Sequence, residues 1–323
     1  MPATPRKILL DTDPGVGIPG TDADDPIALM LALADPRLEL VAVTTTFGNC
    51  PPELTARGAA AVLAAAGRSD IPVAKGRSTP LSGALAPVLQ EAYAGPRGRV
   101  GRIPLPELDT VSTLTAPELI INTVRARPGE ITVVAIGPQT NLAEALLADP
   151  EFAQLLRSVV FMGGGLGIEP TYGHGNITPH AECNIYFDAT AADIVLRSGV
   201  DISMVSLDVT NPATGVVLDE DTITSIEPTT PVRKLFADVC STYLDAPMFD
   251  WGHGCVLYDP LAVLAAAHPV GKWEDLRLRV DTGHGETHGR TARGTQDDPL
   301  VHVMVDVDGR AAVDEIVRTV LTL

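Results

Sequence analysis

Cysteine, positive charge and long apolar runs are all scarce in this chain. The four cysteines (Cys50, Cys183, Cys240 and Cys255) lie far apart, with neither metal-ligand spacing nor the density of a disulfide framework, so we expect reduced thiols. Lysine and arginine number 23 against 41 aspartate and glutamate residues, which gives a net charge of −18. Because nucleic acids and anionic membranes would be repelled by that charge, neither is expected as a partner.

The apolar runs fall short of the roughly 18 residues that a membrane span needs. Met1 to Arg6 is too short and too polar for a signal peptide, so a cytoplasmic location is expected. With 323 residues, 45% of them hydrophobic, the chain is long enough to bury a large core. No linker divides it, and we expect a single domain over residues 1–323 that acts as an enzyme of small molecules.

Strand-like and helical segments alternate along the first two thirds of the chain. Strands are predicted at Lys7–Leu10, Leu38–Thr46, Ile131–Ile136, Ser158–Met162 and Ile202–Leu207. Helices are predicted after Asp24 and at Leu54–Ala66, Thr140–Leu147 and Ala189–Ser198. This alternation is typical of βαβ units and predicts an α/β fold with a mainly parallel, Rossmann-like central sheet flanked by helices.

Two long segments interrupt the alternation. Gly163 to Asn184 is rich in glycine, histidine and asparagine, and its polar groups suit hydrogen bonding to a sugar, so we expect it to be functional. Ala74 to Asp109 is rich in glycine, proline and arginine and is interpreted as mobile surface. Its small basic cluster, Arg97, Arg99 and Arg102, fits a solvated loop, with contact to an acidic feature of the substrate as the alternative.

Aspartates are dense where the first predicted strand ends and the next helix begins. Asp11 and Asp13 follow the strand, and Asp22, Asp24 and Asp25 precede or open the helix. An acid in the first helical turn suits the helix dipole, and Asp22 or Asp24 could serve only as a cap. Ionised carboxylates this close repel one another, however, and a hard divalent cation with oxygen ligands is the usual compensation. The pattern therefore predicts a metal site at the carboxyl end of a strand, where open α/β sheets bind ligands.

Six short motifs follow one another along the chain. They are D-x-D-P-G at 11–15, T-T-x-x-G-N at 44–49, G-P-x-T-N at 137–141, M-G-G-G at 162–165, N-x-T-P-x-A-E-x-N-I at 176–185 and D-P-L-A-V at 259–263. In this order they resemble the nucleoside hydrolases, N-ribohydrolases of the inosine-uridine-preferring type. The resemblance implies the nucleoside hydrolase fold, hydrolysis of a ribonucleoside to ribose and free base in nucleoside salvage, and a homodimer or homotetramer.

The same resemblance implies one bound calcium ion, Ca2+. Its ligands would be the carboxylates of Asp13, Asp25 and Asp259 and the backbone carbonyl of Ile136, an all-oxygen set of the kind that calcium prefers. Asp13 would also be the general base that activates water for attack on the sugar.

Ribose binding is likewise implied by the resemblance. The expected substrate-binding residues are Asp24, Asn49, Met162, Asn176, Glu182, Asn184 and Asp259. Glu182 and Asn184 are interpreted as lying on one face of an extended segment. Two alternatives stay open at this stage: Asn49 could be a turn residue after Gly48, and Glu182 with Asn184 could lie on a solvated strand edge.

The chain departs from the family pattern at two places. Residues 17–23 interrupt the family's D-P-G-x-D-D run, which leaves Asp22 as an alternative to Asp24. Tyr258 stands directly before Asp259, where many members have a histidine associated with protonating the leaving base. Departure of the base would then depend on stacking by Tyr258 or on a proton from His253 or Asp250. Two alternatives follow: a hydrolase of a modified or activated riboside, or a catalytically weak homologue that binds ribosides.

Overall fold

A single large sheet runs through the part of the molecule that the computed structural model describes, which comprises residues 4–108, 111–249, 252 and 254–323. Within these residues nine strands form this sheet in the order β10-β9-β11-β6-β5-β4-β1-β2-β3, and β7 and β8 form a separate antiparallel pair. The strands are β1 (Arg6–Thr12), β2 (Leu38–Thr45), β3 (Val73–Lys75), β4 (Thr132–Ala135), β5 (Ser158–Met162), β6 (Ile202–Val205), β7 (Val217–Leu218), β8 (Cys255–Val256), β9 (Lys272–Val280), β10 (Thr291–Arg293) and β11 (Leu300–Asp306).

Helices cover both faces of the sheet. They are α1 (Asp24–Ala34), α2 (Pro52–Ala65), α3 (Pro87–Ala94), α4 (Ala116–Arg125), α5 (Thr140–Ala148), α6 (Phe152–Leu155), α7 (Cys183–Phe187), α8 (Ala189–Leu196), α9 (Glu220–Ser225), α10 (Pro231–Asp245), α11 (Tyr258–Ala267) and α12 (Gly309–Val320). Side chains alternate along β1, so that Ile8 and Leu10 pack in one core with α1 and α11, whereas Leu9 packs in the other with α4 and α5. A strand buried on both faces in this way has the continuous apolar sequence from which it was predicted.

Strand β1 lies between β2 and β4 and is parallel to both. Asp11 is paired in register with Thr44 of β2 and Ala135 of β4, so the three strands end at the same level. The loops that follow them, which begin at Asp13, Thr46 and Ile136, therefore meet at one edge of the sheet. The site described below is built on this edge, called here the carboxyl edge.

The predicted fold class is confirmed, because β1 to β6 and β11 are joined by parallel pairings and only β9 and β10 run antiparallel at one end. The predicted strands and helices all occur, with ends that differ by a few residues. All four cysteines are free and buried, as expected. Among the described residues, every helix is too short or too polar to reach across a bilayer.

The interpretation of residues 74–109 as mobile surface is wrong for the described part of that segment. It contains α3, and Leu89 of this helix packs with Phe47 and Phe187 in a third, small core. Arg97, which follows α3, is also buried, with 8% of its surface exposed. The glycine and proline content of this segment is typical of a loop, and α3 has too few apolar side chains to show a helical period. The helix could therefore not be recognised in the sequence.

Candidate active site

A small pocket opens at the carboxyl edge of the sheet. Its lining includes each described residue for which the sequence predicted a site role: Asp13, Asp24, Asp25, Asn49, Ile136, Met162, Asn176, Glu182, Asn184, Tyr258 and Asp259. His253, and Asp250 with it, lies outside the described residues. Segments that are more than 200 positions apart in the sequence therefore converge on one concave surface.

Two helices deliver three of the carboxylates from their first turns. Asp24 and Asp25 open α1, Asp259 lies in the first turn of α11, and a proline follows the last acid in both helices. Asp24 also accepts a hydrogen bond from the backbone amide of Asp259 at 3.1 Å, which ties the two helix starts together. Because helix N-termini carry partial positive charge, this arrangement favours the anionic form of the acids that they present.

Asp13 occupies a space that two glycines leave open. A Cβ atom on Gly48 would lie 2.1 Å from Oδ2 of Asp13, and one on Gly137 would lie 2.3 Å from Oδ1. Gly48 also has a φ of +149°, a conformation that other residues rarely adopt. The glycines of the second and third motifs are thus needed for the carboxylate of the first, which gives a physical reason for their occurring together.

Asn49 connects three parts of the site. Its backbone amide donates to Oδ2 of Asp13 at 2.6 Å, and its side-chain Nδ2 donates to Oδ2 of Asp25 at 2.8 Å. Its Oδ1 accepts from the backbone amide of Asp22 at 3.1 Å. Asn49 does follow the turn at Gly48, which was one of the alternatives. It is buried, however, and it hydrogen-bonds to two of the acids, so its role is not limited to the turn.

The acids are close enough to share a metal ion. Within the described part of the chain, carboxylate oxygens of Asp24, Asp25 and Asp259 lie within 4.8 Å of one another. The sequence had placed Asp13, rather than Asp24, in the ligand set with Asp25 and Asp259. Asp13 lines the same pocket but does not belong to this closest group, whose third member is Asp24, a residue expected to bind ribose.

Burial raises the pKa values of these carboxyls. For Asp13 burial is the main cause and repulsion by Asp25 adds to it, while the amide of Asn49 and the charge of Arg97 oppose the shift. Burial and then repulsion by neighbouring carboxylates likewise raise the pKa values of Asp24 and Asp259. Burial outweighs four hydrogen bonds at Asp25, one of them to the carboxyl of Asp259, so its pKa is raised too.

A bound cation would offset these upward shifts of the carboxyl pKa values. Two carboxyls that hydrogen-bond to each other must share a proton, and a divalent cation placed between them would replace it and lower both pKa values. The donors are all oxygens from acids and a main-chain carbonyl, a set that suits a hard cation and not zinc. The residues present therefore fit the metal that the fold implies.

The carbonyl of Ile136 accepts a hydrogen bond from Nδ2 of Asn184 at 2.9 Å. The same amide group lies 3.3 Å from the carbonyl of Met162, so Asn184 spans the ends of β4 and β5. A carbonyl oxygen has two lone pairs, so that of Ile136 can accept this bond and still offer an electron pair to a cation.

Glu182 is the N-cap of α7, which corrects the expectation of an extended segment. Its carboxylate accepts hydrogen bonds from the backbone amides of Asn184 and Ile185 in α7 and from Gly164 after β5. It is 2% exposed, so the solvated strand edge is also wrong. Burial raises the pKa of Glu182 to about 7, although the three amides act against the shift. Asn176 accepts from the amide of Cys183 at 3.0 Å and fixes the other side of this loop.

Part of the pocket lining is apolar or aromatic. These residues are Met162, Phe187, Met248, Phe249 and Tyr258, of which Phe187, Met248 and Phe249 also pack in the third, small core. Sequence reasoning missed Phe187, which lies one helical turn after Asn184, a spacing that could have indicated it. Met248 and Phe249 follow the end of α10 in a segment that no motif marked.

Arg97 was also missed, because the solvated-loop interpretation does not hold for it. Its Nε donates to the carbonyl of Asn49 at 2.5 Å, and its Nη2 donates to the carbonyl of Gly48 at 2.6 Å. The hydroxyl of Tyr93 accepts a hydrogen bond from the backbone amide of Gly48 at 2.9 Å, which stabilises the same turn. A buried guanidinium therefore holds the backbone that positions Asn49, and its charge partly opposes the rise that burial causes in the pKa of Asp13.

Profile comparison decides which family this arrangement represents. The profile of the inosine-uridine preferring nucleoside hydrolases matches residues 8–314. The chain belongs to this family. Its reaction is accordingly hydrolysis of the N-glycosidic bond of a ribonucleoside, which is what the six motifs led us to expect.

Relatives of this nucleoside hydrolase differ in the base that their names specify. The pyrimidine-specific ribonucleoside hydrolase RihA of Citrobacter koseri is 36% identical over 95% of both chains. Probable uridine nucleosidase 2 of Oryza sativa subsp. japonica is 35% identical over 83% of this chain and 76% of its own. A purine-preferring ribonucleoside hydrolase from Gardnerella vaginalis has a TM-score of 0.83 at 30% identity, with 98% of both chains covered. These names do not agree on one base, so the pocket itself must decide its preference.

Proposed function

We propose that this chain is a calcium-dependent ribonucleoside hydrolase in which Asp13 is the general base. Supporting this is the convergence of four buried carboxylates, from β1, α1 and α11, on one pocket with the carbonyl of Ile136. Asp13, Asp25, Asp259 and that carbonyl would hold the ion, with Asp24 close enough to take part. When bound, calcium would supply positive charge that makes a water molecule easier to deprotonate.

Asp13 is suited to take the proton of that water. Its Oδ2 already accepts the amide of Asn49, which leaves Oδ1 available. Attack at C1′ develops positive charge on the ribose ring, as in glycoside hydrolysis, and the surrounding carboxylates stabilise that charge electrostatically. The burial of these carboxylates around one pocket supports a role for Asp13 as the base and for its neighbours as the negatively charged environment.

Ribose hydroxyls would be bound by the polar side of the pocket. Its members are Asp24, Asn49, Asn176, Glu182, Asn184 and Asp259, and Met162 would add an apolar contact to the sugar. Amide and carboxylate groups can donate to or accept from each hydroxyl, and a substrate that lacked one would leave a buried polar group unpaired. The aromatic residues of the lining, Tyr258 among them, would then contact the base, and His253 stays a candidate proton donor to it.

A reducing-sugar assay tests this function. Metal-stripped protein is incubated with a panel of ribonucleosides, first with a chelator and then with excess calcium. We expect ribose to be released only with calcium. If calcium binds and no ribonucleoside in the panel is cleaved, a riboside-binding homologue without turnover is the correct description.

Three further predictions come from the sequence. Residues 1–323 form one catalytic domain, the enzyme is cytoplasmic, and it assembles as a homodimer or homotetramer. The single sheet that β1 and β11 share supports the first. Size-exclusion chromatography with light scattering would test the assembly.

A further inference from the structure

Asp22 is a carboxylate of the pocket that the proposed mechanism does not use. It belongs to residues 17–23, the segment that interrupts the family motif, and it lines the same pocket as the metal-binding acids. No described residue donates a hydrogen bond to its carboxylate, and it does not belong to the close group of Asp24, Asp25 and Asp259. Its charge therefore faces the space that a substrate would fill.

The segment that carries Asp22 is held firmly. The hydroxyl of Thr21 donates to the carbonyls of Gly15 and Ile18, both at 2.7 Å. The amide of Gly20 donates to the carbonyl of Ala246 at 3.0 Å, and the carbonyl of Gly17 accepts the amide of Arg102 at 2.9 Å. Because the backbone around it is fixed, the carboxylate of Asp22 is positioned before any substrate arrives.

The pocket holds more carboxyl groups than a divalent ion can balance when they are all ionised. Six carboxyl side chains line it: Asp13, Asp22, Asp24, Asp25, Glu182 and Asp259. One divalent cation and the buried guanidinium of Arg97 supply three positive charges. In a chain whose net charge is −18, the rest of the surface adds to this potential instead of cancelling it.

Aromatic residues line the same pocket as Asp22. They are Phe187, Phe249 and Tyr258. The faces of aromatic rings attract cations, and a pocket that combines rings with a carboxylate suits a flat, positively charged ring. A neutral base gains stacking from these rings but nothing from the charge of Asp22.

We propose that this pocket prefers ribosides whose leaving base is cationic, with a quaternary nitrogen at the glycosidic bond, and that Asp22 is the residue that selects for that charge. This rests on the proposed hydrolase function and deepens it. Water adds to C1′, the C–N bond breaks, and its electron pair returns to the ring nitrogen, which becomes neutral. The proton lost by the water passes to Asp13 and then to solvent. The leaving base needs no proton, which agrees with Tyr258 in place of the family's histidine.

Nicotinamide riboside as the cation and uridine as the neutral substrate test this, with kcat/KM measured for wild type, Asp22→Asn and Asp22→Glu. We expect Asp22→Asn to lose at least tenfold more on nicotinamide riboside than on uridine, and Asp22→Glu to restore most of that difference. Comparing each variant with wild type removes the intrinsic difference between the two leaving groups. Glu227→Gln, an exposed change of equal charge far from the pocket, is the control and should affect both substrates equally.

Two further measurements keep the outcome clear. Raising the ionic strength should increase the wild-type KM for nicotinamide riboside and leave that for uridine nearly constant, which needs no variant to fold. Calcium affinity of Asp22→Asn should stay within about threefold of wild type, since Asp22 is outside the proposed ligand set. Equal losses on both substrates, or a salt response shared by both, would overturn the proposal. Absence of ribose release from either substrate would instead refute the hydrolase function itself.

Discussion

Carboxylates at the two edges of the sheet have opposite surroundings. At the amino edge, Glu130 pairs with Lys7, and the hydrogen bond from Lys7 lowers the pKa of Glu130. Burial alone would raise the pKa of Asp35. Two hydrogen bonds from the guanidinium of Arg37 outweigh this effect, so the pKa of Asp35 is lowered. At the carboxyl edge, burial and neighbouring acids raise the pKa values of Asp13, Asp24 and Asp259. Lysine and arginine side chains stabilise the ionised carboxylates at the amino edge. At the carboxyl edge there are too few of these side chains to do so.

This difference indicates that the carboxylates at the carboxyl edge are compensated mainly by bound cations and not by the chain's own lysine and arginine side chains. Arg97 supplies one cation there, directed at two carbonyls rather than at a carboxylate. A metal ion and, if Asp22 acts as proposed, a cationic substrate would supply the others. Four changes can break or sharpen the contrast, taken from the largest expected effect to the smallest.

Asp13→Asn should lower kcat by about 10³-fold or more, because the amide keeps the size of the side chain and loses the proton acceptor. That corresponds to ~4 kcal/mol in the activation free energy. Steady-state assays at saturating calcium measure it. Asp11→Asn is the matched control: Asp11 is equally buried, accepts from Thr44 and Asn141, and does not line the pocket. A much smaller loss of kcat is expected there, and equal losses would remove the special role of Asp13.

Calcium should stabilise the protein, and more so at high pH. Burial raises the pKa values of Asp11, Asp22 and Glu182 to about 7, so the stability that their protonated forms contribute is complete below about pH 4. It is lost as the pH rises through about 7, and metal-free protein should therefore weaken over this range. At 100 times its Kd, calcium adds ~2.7 kcal/mol to the free energy of unfolding.

Urea denaturation at pH 5 and pH 8, with and without calcium, measures this effect. At each pH, the free energy of unfolding without calcium is subtracted from the value with calcium. This subtraction removes the contribution of the surface ion pairs, whose carboxyl pKa values are shifted in the opposite direction. A calcium effect that is larger at pH 5 than at pH 8 would contradict the assignment of the ligands.

Arg97→Lys should lower kcat/KM about tenfold, since an ammonium group cannot span the carbonyls of Gly48 and Asn49 as the guanidinium does. Arg97→Met should cause a similar or larger loss. Arg99→Met, an exposed neighbour on the same loop, serves as control and should behave as wild type. Full activity in Arg97→Lys would show that only the charge matters and not the position of the turn.

Glu130→Gln should leave the free energy of unfolding almost unchanged, because its ion pair with Lys7 is solvent-exposed and screened by water. Urea denaturation at low and moderate salt is the measurement, and the small effect should shrink as salt increases. A loss as large as that of a buried pair would mean that the two edges differ less than we infer.

The residues that the sequence singled out at the carboxyl edge do line one pocket, whereas the surroundings of that edge were predicted poorly. Asp13 and Asp25 stood out because acids that gather at a strand end and a helix start repel one another unless a cation binds between them, and Asp259 came from the family resemblance. Their occurrence with Gly48 and Gly137 follows from the space that the carboxylate of Asp13 needs. Strands β9 and β10 were not predicted, since they lie at an exposed end of the sheet where few of their residues are buried. Strand β11 was missed as well, although it lies between β9 and β6 and three of its residues are buried.

Arg97 and Phe249 could not be predicted, because their roles depend on tertiary contacts. An arginine in a loop rich in glycine and proline has the composition of solvated surface, and only the position of the Gly48–Asn49 turn gives it buried acceptors. Phe249 reaches the pocket because α10 ends beside it. Glu182 itself has an extended backbone, but the extended segment expected through Asn184 is the first turn of α7, a helix of five residues that is too short to give a helical period in the sequence.

A crystal structure of the calcium-loaded protein, with data collected to reveal the anomalous signal of calcium, tests the central claim most directly. The account predicts one ion per chain, about 2.3–2.6 Å from oxygens of Asp13, Asp25 and Asp259 and from the carbonyl of Ile136. An ion bound elsewhere, or a pocket whose carboxyls keep their hydrogen bonds to one another in saturating calcium, would contradict it.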